Sequence, residues 1–246
     1  MYESQRKEDG QLKERLYELA VQMRRYGYRY FDVLLRRDGW AVNHKRTYRI
    51  YREAGLMVRR RKRKRIAGIE RELKASTTAA NQSWSMDFVS VGMVDGRRIR
   101  CLNIVDDFTK QCLVIKVDTP LPGQQVVQVL ERSAESRGLP DSITVDNGPE
   151  FAGKALDEWA LSQGLKLNFI EPGKPQQNAY IESFNGKFRD ECSNEHWFVS
   201  MDYARKMIEA WCQEYNSERP HSSIGYLTPD QFAAEFLTAD SKLVPQ

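Results

Sequence analysis

The sequence lacks any apolar run that approaches the roughly 20 residues needed to cross a membrane as a helix. The first residues, Met1 to Lys7, are followed by no apolar segment that could serve as a secretory signal peptide. We therefore expect a cytoplasmic protein that does not bind membranes. Apolar residues make up 41% of the chain, which is enough for a hydrophobic core and excludes a largely disordered protein.

Cysteine and histidine are scarce. The cysteines form no CxxC pair, and none has histidines nearby at the spacing of zinc ligands, which argues against a zinc module. We expect reduced thiols that lie mostly in the core, as in cytosolic proteins, with surface disulfides as the alternative. The four cysteines are Cys101, Cys112, Cys192 and Cys212.

Charge is distributed unevenly along the chain. Residues 1–75 hold 22 Lys/Arg and 10 Asp/Glu, a net charge of +12, whereas the remainder holds 16 and 24, a net charge of −8. A basic segment joined to an acidic body is typical of a module that binds a polyanion attached to a second domain. Bound cations would reverse the local charge of the acidic part.

Three helices are predicted in the basic segment, over residues 11–25, 28–37 and 44–54. Asp38-Gly39 is a turn signal between the last two, and Asn43 is a plausible N-cap. This order predicts a helix-turn-helix, and the basic residues of its last helix are candidate DNA contacts. The alternative is a helical hairpin that has a packing role alone and does not bind DNA. The candidates are Lys45, Arg46 and Arg49.

Seven consecutive cations follow the third helix. Mutual repulsion is expected to keep them unfolded until a polyanion neutralises them, so we predict phosphate contacts rather than a merely solvated linker. The residues are Arg59, Arg60, Arg61, Lys62, Arg63, Lys64 and Arg65.

The acidic body contains alternating strand and helix patterns. Three strands at 84–91, 99–106 and 112–118 predict an antiparallel meander. The order βββαβαβα of the first eight elements, which a last long helix follows, predicts an α/β fold with a mixed sheet and helices on its faces. The later elements are a helix at 124–136, a strand at 142–146, a helix at 153–163, a strand at 165–170, and helices at 176–190 and 201–216.

Three carboxylates stand where an ordinary surface role explains them poorly. Asp87 interrupts the first strand, Asp146 ends the fourth beside a Gly-Pro turn, and Glu182 lies in a helix with a polar face. Converging carboxylates bind hard divalent cations, and two such cations can break and join phosphodiesters. Taken singly, each has an ordinary alternative: a hydrogen-bonded strand acid, a turn cap and a helix surface residue.

Other acidic residues compete for the same role. We interpret Asp106 and Asp107 mainly as turn residues, because they end a strand, and Glu150 as a capping or supporting carboxylate. On the helix of Glu182, Asn178, Lys187 and Arg189 are candidates for positioning DNA.

Five short motifs carry a resemblance to a known family. The chain resembles the DDE recombinases with a retroviral-integrase core, and more narrowly the integrase-like transposase subunits of bacterial insertion sequences that have two reading frames. The motifs are Gly27-Tyr28-Arg29, Trp84 to Phe88, Val145 to Phe151, Pro175 to Gly186 and Tyr215 to His221. Within the last, His221 either packs or contacts phosphate.

The resemblance implies an RNase H-like core with a mixed five-stranded sheet flanked by helices, preceded by a small all-α helix-turn-helix domain. It implies that Asp87, Asp146 and Glu182 are catalytic and hold two Mg²⁺ or Mn²⁺. We expect a helix-turn-helix domain over 1–57, a basic linker over 58–80, the catalytic core over 81–236 and a tail over 237–246.

The expected function is metal-dependent cleavage and strand transfer of an insertion sequence. The expected partners are element ends, target DNA, a homo-oligomer on DNA, and the helix-turn-helix protein of an upstream frame. The sequence lacks the paired histidines and cysteines of the retroviral zinc module and has no room for a C-terminal β-barrel. Two alternatives stay open: a structure-selective nuclease of the same fold that does not join ends, and a DNA-binding regulator with an inactive core.

Overall fold

The computed structural model of the chain describes four stretches of the sequence: residues 7–58, 77–151, 153–171 and 175–240. By its contacts the chain divides into two compact units, Met1–Ile69 and Glu70–Gln246. Each unit has its own hydrophobic core.

The first unit is built from three helices, as the sequence predicts. Asn43 caps the third helix by accepting a hydrogen bond from the Lys45 backbone N–H at 2.9 Å. Thr47 Oγ1 donates to Asp32 Oδ1 at 3.0 Å, which joins the second and third helices inside the core. The first helix ends earlier than predicted because the chain turns to bury Tyr26. The helices are α1 Lys7–Gln22, α2 Tyr28–Arg37 and α3 His44–Glu53.

The second unit contains the predicted mixed sheet of five strands, in the order β3-β2-β1-β4-β5. Strand β1 pairs antiparallel with β2 and parallel with β4, β2 pairs antiparallel with β3, and β4 pairs parallel with β5. The predicted meander is therefore confirmed, and β1 is central. The strands are β1 Ser83–Gly92, β2 Arg98–Asp106, β3 Cys112–Asp118, β4 Ser142–Val145 and β5 Lys166–Phe169.

Helices cover both faces of this sheet. Alternation along β1 places Trp84 and Met86 in the core under α4 and α5, and Val89 and Val91 in the core under α6 and α7. Asp87 shares the second face with Val89. The helices of this unit are α4 Gly123–Arg137, α5 Lys154–Ser162, α6 Ala179–Phe188, α7 Met201–Ser217 and α8 Pro229–Asp240.

Two features of the helices differ from the prediction. The single helix expected over 176–190 is a 3₁₀ turn at Pro175–Asn178, then α6, then a π-helical turn at Arg189–Ser193. Helix α8 was not predicted. Its start is a capping box, in which Thr228 Oγ1 accepts from the Gln231 N–H and the Gln231 side chain accepts from the Thr228 N–H.

The four cysteines are free thiols, and three of them, Cys101, Cys112 and Cys192, are buried in the core between the sheet and α6 and α7. Cys212 is half-buried beside them. The prediction of thiols mostly in the core is confirmed. Within the described stretches, no helix combines the length and the apolar character that a membrane crossing demands.

Candidate active site

Asp87 lies half-buried in β1, on the face of the sheet that α6 covers. Its Oδ1 accepts a hydrogen bond from the Phe88 backbone N–H at 2.7 Å, and its Oδ2 accepts one from Asn185 Nδ2 at 2.7 Å. The pKa of Asp87 is raised to about 6, first by burial and also by the charge of Asp146, although the Phe88 N–H, the charge of Arg189 and the Asn185 amide oppose this. Such a carboxylate is costly to ionise without a cation beside it.

A second amide orients the Asn185 side chain. Asn103 lies directly opposite Asp87 on β2, and its Nδ2 donates to Asn185 Oδ1 at 2.6 Å. Both asparagines are buried. Because the Asn185 oxygen receives this bond, its Nδ2 is directed at Asp87, and the two amides connect β2, α6 and the carboxylate in one chain of hydrogen bonds.

Asp146 follows the last residue of β4. The register pairs Ser85 with Thr144, and two residues further along each segment stand Asp87, still within β1, and Asp146, just beyond the end of β4. The two carboxylates are close enough for the charge of Asp146 to raise the pKa of Asp87. Asp146 Oδ1 accepts from the Gly148 N–H at 2.9 Å. A Cβ on Gly148 would lie 2.9 Å from that oxygen, so a larger residue here would displace the Asp146 carboxylate.

Glu182 lies in the first turn of α6 and is exposed, one turn before Asn185. Among the described residues it makes no hydrogen bond or ion pair. The described part of the chain contains no group of three or more His, Cys, Asp or Glu arranged to hold a metal ion. The structure therefore brings Asp87 and Asp146 together and places Glu182 on the adjoining helix without closing the expected set of three.

The side chains at this position fit a divalent cation. The donors are carboxylate oxygens, which hard cations prefer, and the repulsion between Asp87 and Asp146 is of the kind that a cation relieves. Among the described residues no His or Cys joins these two carboxylates in a group of three. Carboxylate oxygens alone suit magnesium or manganese better than zinc.

Comparison with known protein families gives three matches. Residues 77–175 match one integrase core domain family, and residues 163–229 match a second family of the same description. Residues 7–64 match an HTH-like domain. Together these matches cover both units of the structure.

Among curated proteins, the chain is 53% identical to the 31.7 kDa protein of insertion element IS407 from Burkholderia multivorans, over 94% of this chain and 83% of that protein. It is 28% identical to the transposase InsD for insertion element IS2D of Escherichia coli, over 89% of this chain and 76% of that protein. The chain belongs to the integrase-core transposases of bacterial insertion elements.

The fold of the transposase is also found in a solved assembly. A chain in the cryo-EM structure of the simian T-cell lymphotropic virus intasome, in complex with the PP2A regulatory subunit B56 gamma, aligns with a TM-score of 0.52 at 16% identity. The alignment covers 89% of the transposase and 74% of that chain. At this identity the comparison shows the fold alone.

The three DNA candidates on α6 and its flanks lie in different surroundings. Asn178 is buried, and its Oδ1 has no hydrogen-bond partner among the described residues. Lys187 is half-buried, with its Nζ 5.9 Å from the centroid of the Tyr215 ring, and its pKa is lowered to about 8, mainly by burial and next by the charge of Arg219. Arg189 is exposed, and its charge acts on Asp87.

In the first unit of the transposase, Lys45 is exposed on α3. Arg46 and Arg49 both form ion pairs with Asp9 of α1, at 2.8 and 3.0 Å, and Arg49 also pairs with Glu53 at 3.1 Å. DNA phosphates would compete with these carboxylates for the two arginines. The remaining candidates, the seven cations from Arg59 to Arg65, lie outside the described residues.

The competing acidic residues have structural partners. Asp106 is buried and accepts from the backbone N–H groups of Asn81, Phe108 and Thr109, so it does hold a turn. Asp107 is buried and accepts from the hydroxyls of two serines of β1, Ser83 and Ser85. Neither is available as a metal ligand.

Glu150 supports the loop after Asp146. It pairs with Arg100, which keeps the pKa of Glu150 below its ordinary value. The Arg100 guanidinium lies 4.1 Å from the centroid of the Phe88 ring, and Phe88 stacks on Phe151 at 4.9 Å. This group of contacts fixes the loop that carries Asp146 against the strand that carries Asp87.

Sequence reasoning missed Asn103 and Asn185 as parts of the site. In the sequence, Asn185 stands out only as part of the motif Pro175 to Gly186. One signal could have found Asn103: it is an amide inside a strand whose other central residues are apolar, and a buried amide requires partners.

Proposed function

We propose that the transposase cuts DNA at the ends of an insertion sequence and joins those ends to target DNA, with Asp87, Asp146 and Glu182 as its catalytic residues. These carboxylates would hold two Mg²⁺ or Mn²⁺. When bound, such ions activate the attacking water or DNA 3′-hydroxyl and stabilise the leaving oxygen.

The observation that carries this proposal is the pairing of Asp87 with Asp146. Asp87 lies in β1 and Asp146 follows the neighbouring parallel strand β4, and the effect of Asp146 on the pKa of Asp87 makes them one anionic site rather than two separate carboxylates. Glu182 belongs to the same proposal because its helix is fixed to Asp87 one turn away, through Asn185.

The side chains around the site have distinct tasks. Asn185 and the Phe88 N–H would orient the two oxygens of Asp87, so that the carboxylate is held in one direction. Arg189 offers a positive charge beside Asp87 for a DNA phosphate. This chemistry requires no serine, tyrosine or cysteine nucleophile.

We infer that the basic N-terminal residues bind the element ends. In this scheme residues 1–57 form the helix-turn-helix domain, residues 58–80 a basic linker, residues 81–236 the core and residues 237–246 a tail. Lys45, Arg46, Arg49 and the seven cations after α3 would contact phosphates, which do not by themselves encode sequence. Asn178 and Lys187 are weaker candidates because both are wholly or partly buried.

We further propose that the transposase acts as a homo-oligomer on DNA and binds the helix-turn-helix protein of an upstream reading frame. A transposition reaction requires two element ends to be held together. Because each chain has a single active site, we expect several copies of the chain to do this. Sedimentation of the chain with and without end DNA, and with the upstream protein, tests both proposals.

The function is tested by incubating the full chain with DNA that carries an element end, together with target DNA and Mg²⁺. Asp87→Ala, Asp146→Ala and Glu182→Ala should each abolish cleavage and joining but leave end binding intact. Glu131→Ala, on the exposed face of α4, is the matched control and should keep both activities.

Each alternative has its own outcome in this assay. Cleavage without joining would identify a nuclease, and end binding without cleavage by the unaltered chain would identify a regulator. Full activity in any of the three alanine variants would remove that residue from the site.

A further inference from the structure

The helix that carries Glu182 and Asn185 does not end in an ordinary cap. It continues into the π-helical turn Arg189–Ser193, which Arg189 begins. Turns of this kind are short, strained features that are frequent at functional sites and need support from outside the helix. Cys192 supplies part of that support, because it is buried in the core under α6 and α7.

The second support is a buried ion pair. Arg219, just after α7, donates from Nη2 to Glu191 Oε1 at 2.6 Å and from Nε to Glu191 Oε2 at 2.8 Å. Their side chains are 5% and 12% exposed. A guanidinium that binds a carboxylate at two points fixes its direction as well as its distance, and loss of one partner leaves a buried charge uncompensated.

A second cation and two aromatic rings lie around the pair of Glu191 and Arg219. Lys187 and Arg219 approach the same Tyr215 ring, at 5.9 and 5.8 Å from its centroid. His221 packs edge-on against that ring and is buried. Lys187 and Arg219 thus meet at one ring, and Glu191 is the carboxylate that binds Arg219 at two points, while the charge of Glu214 also acts with Arg219.

We propose that Glu191 and Arg219 are a positioning pair, which fixes the π turn and thereby holds Arg189, one turn after the Asn185 that contacts Asp87, on the side of the helix that faces the site. Arg219 belongs to the motif Tyr215 to His221, whose residues do not touch the two aspartates, and positioning is the role that we assign to it. It rests on the proposed function, in which Arg189 meets a DNA phosphate. Arg219 itself touches no reacting atom.

The test is a double-mutant cycle in the strand-joining assay. Arg219→Lys keeps the charge but loses the two-point geometry, and it should lower kcat about tenfold with KM for DNA changed less than twofold, since small displacements near reacting groups are costly. In an Arg189→Ala background the same substitution should change kcat less than twofold. Glu191→Gln should behave like Arg219→Lys. Arg205→Lys, at an exposed ion pair on α7, is the matched control.

Independent, multiplying effects of Arg219→Lys and Arg189→Ala would overturn the proposal, as would a kcat loss that only follows a fall in the unfolding temperature. If Arg219→Lys does not fold, Glu191→Gln gives the same cycle. If the unaltered chain joins no DNA, the proposed function fails, and positioning is then measured by the arginine side-chain NMR signal of Arg189. That signal should move in Arg219→Lys and not in Arg205→Lys, and an unmoved signal would contradict the pair's role.

Discussion

Asp87 depends on side chains that are far from it in the sequence. Its carboxylate is held by Asn185, which is in turn held by Asn103, and neither amide contact follows from local sequence pattern. Buried amides of this kind hold a charged group in one orientation through the bonds that their N–H groups donate, although Asn103 Oδ1 itself has no hydrogen-bond partner among the described residues. The orientation of the Asp87 carboxylate is therefore set by individual side-chain contacts.

Removal of the Asn103 amide tests this chain of hydrogen bonds. Asn103→Ala leaves the Asn185 oxygen without its donor, so the Asn185 amide can rotate away from Asp87. We expect strand cleavage to fall roughly 10- to 100-fold, as is usual when a partner of a metal-binding carboxylate is removed. Asn168→Ala, at a half-buried asparagine of β5, should change the rate little. Unchanged cleavage in Asn103→Ala would show that Asp87 does not need this support.

The alternation that predicted β1 also predicted the face on which Asp87 lies, because side-chain direction in a strand follows from its period of two. The contacts of Asp87 could not be predicted in the same way. Asn185 is 98 positions away and reaches Asp87 only after α6 has packed on the sheet. Similarly, the sequence shows that Lys187 is basic but not that its ammonium group lies against Tyr215.

At the scale of elements, the regular strands and helices were predictable, and the irregular ends were not. Helix α6 was expected to run unbroken over 176–190, but it lies between a 3₁₀ turn and a π-helical turn, and Arg219, far away in the sequence, binds Glu191 of the latter. Helix α8 is a different case, because Thr228 and Gln231 form a capping box that can be recognised from the sequence alone.

The capping box predicts the stability of α8. Thr228→Ala removes the hydroxyl that accepts from the Gln231 N–H, and we expect it to lower the free energy of unfolding by about 1 kcal/mol. The loss should also loosen Phe232 and Phe236, which pack on Phe108. Denaturant unfolding measures the effect, with Thr119→Ala as the exposed control. An equal effect of the two substitutions would exclude a capping role.

The packing of α6 predicts a dependence of stability on pH. Burial lowers the pKa of Lys187 to about 8 from 10.5, so the unfolded chain binds the proton more tightly. The resulting loss in the free energy of unfolding is fully present below pH 8 and disappears as the pH rises to about 10.5. Lys187→Met should therefore stabilise the chain by up to about 3 kcal/mol at pH 7 and much less at pH 10.

Denaturant unfolding at both pH values checks this prediction, and Lys206→Met on the exposed side of α7 is its control. A gain for Lys187→Met that is the same at pH 7 and pH 10 would mean that the lysine is not strained by burial.

At the scale of the whole molecule, the separation of charge is the clearest feature. The N-terminal 75 residues carry a net +12 and the rest a net −8. This predicts that the basic residues bind the DNA and that the acidic body requires cations. The sequence showed this division, but it could not show that Asp87 and Asp146 lie together while Glu182 is exposed on the adjoining helix.

The charge division predicts steep dependence of DNA binding on salt. If the seven cations after α3 contact phosphates, their replacement by glutamine should reduce the slope of log K against log salt by about 6, at roughly 0.9 for each phosphate neutralised. Replacement of an equal number of exposed Lys and Arg residues in the second unit is the control. A slope that stays the same would assign DNA binding to other residues.

The central claim is that Asp87, Asp146 and Glu182 act as one metal site. It can be tested by replacing magnesium with Fe²⁺ and adding ascorbate, so that radicals formed at the bound iron cut the nearby backbone. With end DNA present, we predict three sets of fragments, with breaks near residues 87, 146 and 182, all suppressed by excess Mg²⁺ and absent in Asp146→Ala. Cuts near 87 and 146 but none near 182, or the same pattern in Asp146→Ala, would contradict this account.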